Sequence, residues 1–206
     1  MAPKKQFYSI AGSADKATYT ARLKIKRSLF ICHLSHAGSI DAAKDFISKI
    51  SRENKTATHN CWAYIVGDAG QVYHSSDAGE PSGTAGKPML NVLASYSMTQ
   101  VAAVVTRHYG GVKLGVRGLI QAYSDAVAAA LDDAKKVRLV KGFQVRVQIP
   151  YECNDVFLNQ ISRMDAKIID TGYGEQVIHE ILIKTDCARD FEKLLSQYKN
   201  QGLVVL

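Results

Sequence analysis

Cysteine is sparse in this chain, and its few copies are scattered. Cys32, Cys61, Cys153 and Cys187 form no Cys-x-x-Cys pair, which excludes a disulfide framework or a zinc-finger spacing and leaves reduced thiols as the expectation. His59 and Cys61 stand two apart, a spacing that puts both on one face of a strand, but two ligands do not make a zinc site and packing is the better reading. His33, His36, His74, His108 and His179 form no His-Glu-x-x-His pair, so no metal and no cofactor is expected. Long apolar runs are missing as well. No stretch approaches the roughly 18 uninterrupted apolar residues of a membrane span, and the opening segment MAPKKQFYSIAG lacks the apolar core of a secretory signal. A cytoplasmic location without a membrane partner is the expectation.

The chain has 206 residues, 47% hydrophobic and 22% charged, enough to bury one large or two modest cores. Its charge is unevenly spread. Residues 1–140 hold 18 Lys or Arg against 10 Asp or Glu, whereas residues 141–206 hold 8 against 9. The whole excess behind the net +7 is therefore amino-terminal, where it can attract phosphate backbones. Within it, Arg22, Lys24, Lys26 and Arg27 alternate with Leu23 and Ile25, reading as a strand with one apolar and one basic face. That face serves solubility or binding equally well.

Two glycine-rich, lysine-bearing loops carry the strongest functional signal, GEPSGTAGKP at 79–88 and RHYGGVKLGVRGL at 107–119. Glycines let backbone N–H groups converge, and a helix start adds unpaired donors and the positive end of the macrodipole. Phosphate suits such a place. In the first loop Lys87 precedes Pro88, which fits the first position of a helix burying Met89, Val92, Leu93 and Tyr96. In the second, Val101 to Val105 reads as a buried strand ended by Gly110 and Gly111. Lys113, Arg117 and Gly118 then precede a helix carrying Leu119, Ile120, Tyr123, Val127 and Leu131. Known nucleotide motifs fail: Pro81 stands where a P-loop needs glycine, Pro88 where it needs a hydroxyl, and the second loop lacks Gly-x-Gly-x-x-Gly. Tight turns alone also account for glycines of this kind.

The pattern predicts an α+β chain in two domains, 1–137 and 138–206. Strands near 18–26 and 28–35 lead into a helix from Ile40 to Glu53, capped by Ser39, with Ala43, Phe46, Ile47 and Ile50 inward. Strands Cys61–Val66 and Gln71–His74, the first loop and its helix, a strand at 101–107, and a helix to about Lys135 complete a β-layer covered by helices. A polar stretch at 136–142 marks the boundary. Beyond it come a strand through Val145, Val147 and Ile149, and a helix with Val156, Phe157, Ile161 and Met164. Strands Lys167–Thr171 and Gln176–Thr185 follow, then a helix with Phe191, Leu194, Leu195 and Tyr198, and a strand Leu203–Leu206. That succession is β-α-β-β-α-β, the ferredoxin-like order.

The stretches ATHNCWAYIVG (57–67), SSDAGEPSGTAGKPML (75–90) and VVTRHYGGVKLGVRGLIQAYSDA (104–126), in this order, resemble the IMPACT family, and the two-part chain resembles its bacterial YigZ-like branch. In that family aromatic residues usually follow the arginine, where His108 and Tyr109 stand here, and glycine is usual at the position of Arg117. The resemblance implies an amino-terminal domain related to the second domain of a small-subunit ribosomal protein. It also implies a carboxy-terminal ferredoxin-like domain similar to late domains of a translocating elongation factor. For eukaryotic relatives it implies translational regulation by competition for an activator of the amino-acid-starvation kinase.

Together these features lead to a non-enzymatic, translation-associated protein that binds RNA or the ribosome. Lys87, Arg107, Lys113 and Arg117 are the expected phosphate contacts, with N–H groups of Gly83, Gly86, Gly110, Gly111 and Gly115 beside them. A protein-partner module in translational or stress regulation is one alternative. Another is a small-molecule phosphate enzyme with Glu80, Asp77 or His108 as acid or base, although Glu80 could equally pair structurally with Arg107 or Lys113.

Overall fold

The computed structural model describes residues 6–11 and 18–206, so half of the opening segment lies outside the described residues. The chain divides into two units, Met1–Leu139 and Val140–Leu206. The first contains β1 (Tyr8–Ile10), β2 (Thr18–Ile25), β3 (Ser28–His36), α1 (Ile40–Glu53), β4 (His59–Val66) and β5 (Val72–Ser76). It continues with α2 (Gly86–Ser95), β6 (Val101–His108), α3 (Gly115–Asp133) and β7 (Lys136–Arg138).

Five of these strands form an antiparallel sheet in the order β2-β3-β6-β4-β5. On one face Phe46 and Ile50 of α1 pack against Tyr64, Val66, Ala102 and Val104. On the other, Met89 and Leu93 of α2 and Tyr123, Val127 and Leu131 of α3 meet Phe30, Cys32, Leu34, Ala63 and Val105. Strand β6 is central and covered on both sides, so all seven residues Val101–Arg107 are buried. This explains a continuous apolar run where a one-sided strand would alternate. Helix α1 begins as its sequence dictates, with the Ser39 hydroxyl accepting from the Ala42 N–H at 3.1 Å.

Several boundaries differ from the sequence expectation. Lys26 and Arg27 do not continue the basic strand face. With φ of 43° and 68° they form the β2–β3 hairpin turn, the left-handed pair that a two-residue hairpin requires. The polar stretch read as a boundary is partly a strand: β7 pairs with β1, Ile10 opposite Lys136 and Tyr8 opposite Arg138, so the first unit extends to Leu139. Helix α2 starts at Gly86, making Pro88 its third residue. Helix α3 starts at Gly115, which puts Arg117 and Gly118 inside its first turn.

The second unit runs β8 (Gly142–Ile149), α4 (Tyr151–Ser162), β9 (Ala166–Tyr173), β10 (Val177–Lys184), α5 (Ala188–Lys199) and β11 (Val204–Val205). Its antiparallel sheet has the order β11-β8-β10-β9. Val147, Ile149, Val177, Ile181 and Ile183 on one sheet face meet Phe157, Ile161, Phe191 and Leu194 of the helices. Val156 on α4 is 58% exposed.

The hairpin tip is held by the second loop. A Cβ at Gly110 would stand 2.0 Å from the Arg27 carbonyl oxygen, and the Gly110 N–H donates to the Ser28 hydroxyl at 3.3 Å. Gly83 has φ of +76° but open space around its missing Cβ. Gly110→Ala should therefore destabilise by about 3 kcal/mol or more, and Gly83→Ala by only about 1–2 kcal/mol for its left-handed backbone. Urea unfolding of both variants measures the difference, and equal losses would contradict this packing.

Candidate functional site

Asp77 organises the first loop from the end of β5. Its carboxylate accepts from the N–H groups of Gly83 at 2.8 Å, Ala85 at 2.9 Å and Gly86 at 2.8 Å. The donors at Gly83 and Gly86, expected to hold a phosphate, are thus already taken by the chain's own anion. Desolvation pushes the Asp77 carboxyl up, but the three N–H donors outweigh it and hold it below its ordinary value of 3.8. An acid–base role for Asp77 gives way to that of a helix cap. Lys87 is exposed at the start of α2, where with Gly83, Asn91, Ser95, Ile120 and Ser124 it lines a groove of about 400 Å³.

The second loop ends differently. Helix α3 follows Leu114, has no capping side-chain bond among the described residues and carries no acid in its first turn. Lys113 and Arg117, both exposed, stand just before and within that turn. Gly111 and Gly115 take φ of +84° and +74° with open space around them, so the loop backbone is accessible at this end. The hairpin tip, in backbone contact at Gly110, adds the exposed Lys26 and Arg27. Arg27 belongs to this surface although the sequence separates it from Gly110 by 83 positions.

Between the loops lies a buried polar cluster. Glu80 Oε1 accepts from Arg107 Nη1 at 2.5 Å and from the Tyr123 hydroxyl at 2.8 Å. His59 Nε2 lies 4.0 Å from the same oxygen, while its Nδ1 lies 3.0 Å from the Ala78 carbonyl, an acceptor, and so carries the proton in the neutral ring. Cys61 Sγ stands 2.9 Å from the Asp77 carbonyl oxygen and 3.3 Å from the Tyr123 hydroxyl. Its single proton serves one acceptor at a time. Burial pushes the Cys61 thiol up to about 12, and burial with the neighbouring Cys61 and Glu80 pushes the Tyr123 hydroxyl far above its usual value. Neither group is a poised nucleophile.

Arg107 departs from its expected role. It is 5% exposed and paired with Glu80, so it is not a surface phosphate contact. His108, its neighbour on β6, projects to the opposite face of the sheet and does not join Glu80. Lys113 is not paired with Glu80 in place of Arg107. His59, Cys61, Tyr123 and Phe30 complete the cluster without having been singled out as site residues. The one available signal was the two-residue spacing of His59 and Cys61. Among the described residues no group of His, Cys, Asp and Glu is arranged to hold a metal ion, and no helix is long and apolar enough to cross a membrane.

Comparison with known proteins adds the following. The Impact N-terminal domain matches residues 26–131. An IMPACT family member from Haemophilus influenzae is 45% identical across 88% of this chain and 89% of its own length. The Escherichia coli IMPACT family member YigZ is 33% identical across 92% of this chain and 94% of its own. A crystal structure of a hypothetical protein has the same fold at a TM-score of 0.66 and 32% identity, covering 98% of this chain and 97% of that one.

Two outcomes test the cluster. Glu80→Gln should destabilise by about 3–5 kcal/mol by leaving Arg107 buried without its counter-charge. Adding Arg107→Met should recover much of that loss, which a double-mutant cycle in urea resolves; strict additivity would contradict the pairing. Asp77→Ala should cost about 0.5–2 kcal/mol at neutral pH. Because the folded carboxyl is depressed, its contribution is full above the unfolded value of 3.8 and is lost as pH falls through the lower folded value. The stability gap between the native protein and Asp77→Ala should be flat from pH 5 to 8 and narrow below about pH 4.

Proposed function

The chain belongs to the IMPACT family, and we propose that it is a translation-associated regulatory protein whose first unit binds RNA, or the RNA surface of the ribosome, at the second loop and the start of α3. The observation that carries this reading is the contrast between two helix starts. At α2 the N–H groups of Ala85 and Gly86 are satisfied by Asp77; at α3 the N-cap Leu114 offers no acceptor and, among the described residues, no side chain accepts from the first turn, while Lys113, Arg117 and the tip residues Lys26 and Arg27 supply positive charge. Free N–H groups at a helix start, beside exposed basic side chains, suit a phosphate oxygen. Lys87, on the groove along α2, contributes a flanking contact.

The domain assignment goes with this reading. Residues 1–137 are taken as the IMPACT-like domain, related to the second domain of a small-subunit ribosomal protein. Residues 138–206 are taken as a ferredoxin-like domain, which the strand succession and the order β11-β8-β10-β9 support. The nearly neutral balance of the second part supports leaving the electrostatic attraction to the first.

Fluorescence anisotropy with a labelled RNA hairpin across a salt series tests the proposal. The native protein should lose log affinity linearly with log salt. In the Lys113→Ala/Arg117→Ala variant the slope should shrink by about 1.4–1.8, from roughly 0.7–0.9 per phosphate contact removed. Lys87→Ala should change the slope by less than one such step. No RNA binding at low salt overturns the reading and gives precedence to a protein partner.

A further inference from the structure

Resting on that RNA reading, we propose that Tyr109 is a stacking platform for an unpaired nucleobase, so that the second loop prefers single-stranded to fully paired RNA. Tyr109 begins the loop that leads to Lys113 and Arg117, and its side chain is 44% exposed. Its position is nevertheless fixed. The Tyr109 N–H donates to the Thr58 hydroxyl at 3.0 Å, and the next residue, Gly110, is pressed against Arg27. An exposed aromatic ring on an anchored backbone loses little conformational freedom when a ligand settles on it.

What lies behind the ring is the second, independent observation. The Arg107 guanidinium carbon is 5.3 Å from the centre of the Tyr109 ring and 5.4 Å from that of the buried Phe30. Arg107 is held by Glu80 through Nη1, and its Nε is buried without a hydrogen-bond partner among the described residues. The cation draws on the π-density of Tyr109 from one side. A second cation on the open side, such as an arginine of a protein partner, would then find a ring whose π-density is already drawn on. A neutral, flat base meets no such penalty and continues the stack. Base stacking of this kind is tolerant of sequence, because every base offers a π-face, while the phosphates of the same strand reach the basic loop and the start of α3.

In a continuous duplex every base is already stacked, so Tyr109 has nothing to receive and only the phosphate contacts remain. The test uses three labelled RNAs over the same salt series: a 12-nucleotide single strand, the same strand with a single abasic position introduced in turn at each central site, and its full duplex. The native protein should bind the single strand roughly 5- to 150-fold more tightly than Tyr109→Ala does, the range expected for one stacked base. Tyr109→Trp should restore affinity, and the salt slope should be the same in all three proteins. The abasic scan guards against misfolding of the variants, since it alters only the RNA. At least one abasic position should weaken the native protein and leave Tyr109→Ala unaffected. Equal binding of single strand and duplex, with no loss in Tyr109→Ala and an intact Lys113 and Arg117 salt effect, overturns the stacking proposal and leaves RNA binding standing. No binding of any of the three RNAs overturns both.

Discussion

The buried pair of Glu80 and Arg107 is the constraint from which the first unit's functional end is built. One carboxylate oxygen joins three separate pieces of chain: the first loop through Glu80, strand β6 through Arg107 and helix α3 through Tyr123. Removing two charges from water costs several kcal/mol for each ion, and attraction offsets this only where geometry is good and further hydrogen bonds complete the shell. Here Tyr123 supplies the further bond and two aromatic rings flank the guanidinium. Such a pair adds little over a well-packed apolar replacement. It strongly disfavours any state that separates the partners, because either one alone would be a buried, uncompensated charge. The first loop is therefore fixed in place, and with it the helix it feeds.

That fixed loop explains why two similar glycine-rich segments end up with different chemistry. Both precede a helix, and both helix starts carry the partial positive charge of the macrodipole. Asp77 reaches the first start from the end of β5 and accepts from three N–H groups. Gly86 allows this closeness, since a Cβ there would stand 2.7 Å from the Ser76 backbone nitrogen. Among the described residues the second start has no such internal anion. An anion site that is satisfied from within stabilises the fold, and one that is left unsatisfied is available to a ligand. The difference lies in one carboxylate six to nine residues away from the donors it serves, not in the glycines.

This also marks how far the sequence could be read. Elements with strong local signals were legible: Ser39 and the apolar period of α1 fix Ile40–Glu53, and the unbroken run Val101–Val105 is a strand buried on both faces. The strand succession of the second unit was equally plain. Features that depend on long-range closure were not. Nothing local in Lys26-Arg27 advertises a left-handed turn, because its usual residues are asparagine and glycine. It is tolerated where Gly110 leaves room for the Arg27 backbone. The three residues of β7 look like a polar linker until β1, over a hundred positions earlier, pairs with them. For the site, the residue types and loops were visible, but their assignments were not: Arg107 read as a free cation is an internal one, and Asp77 read as an acid or base is a cap.

Charge alone would not make the first unit selective. At physiological ionic strength the screening length is about 8 Å, so most of the amino-terminal excess acts only as a diffuse attraction that speeds encounter. Selectivity has to come from groups at contact distance whose positions are set before a ligand arrives. On this unit those groups are the start of α3, which sets where Lys113 and Arg117 stand, and the ring of Tyr109. The helix is held by its buried face of Leu119, Tyr123 and Val127, the Tyr109 backbone by Thr58, and its ring lies against Arg107. The same Arg107 that completes the internal ion pair thus also supports an external aromatic surface. Disturbing the buried pair should therefore alter the surface chemistry of the second loop as well as the stability of the fold, which couples the two through a single side chain.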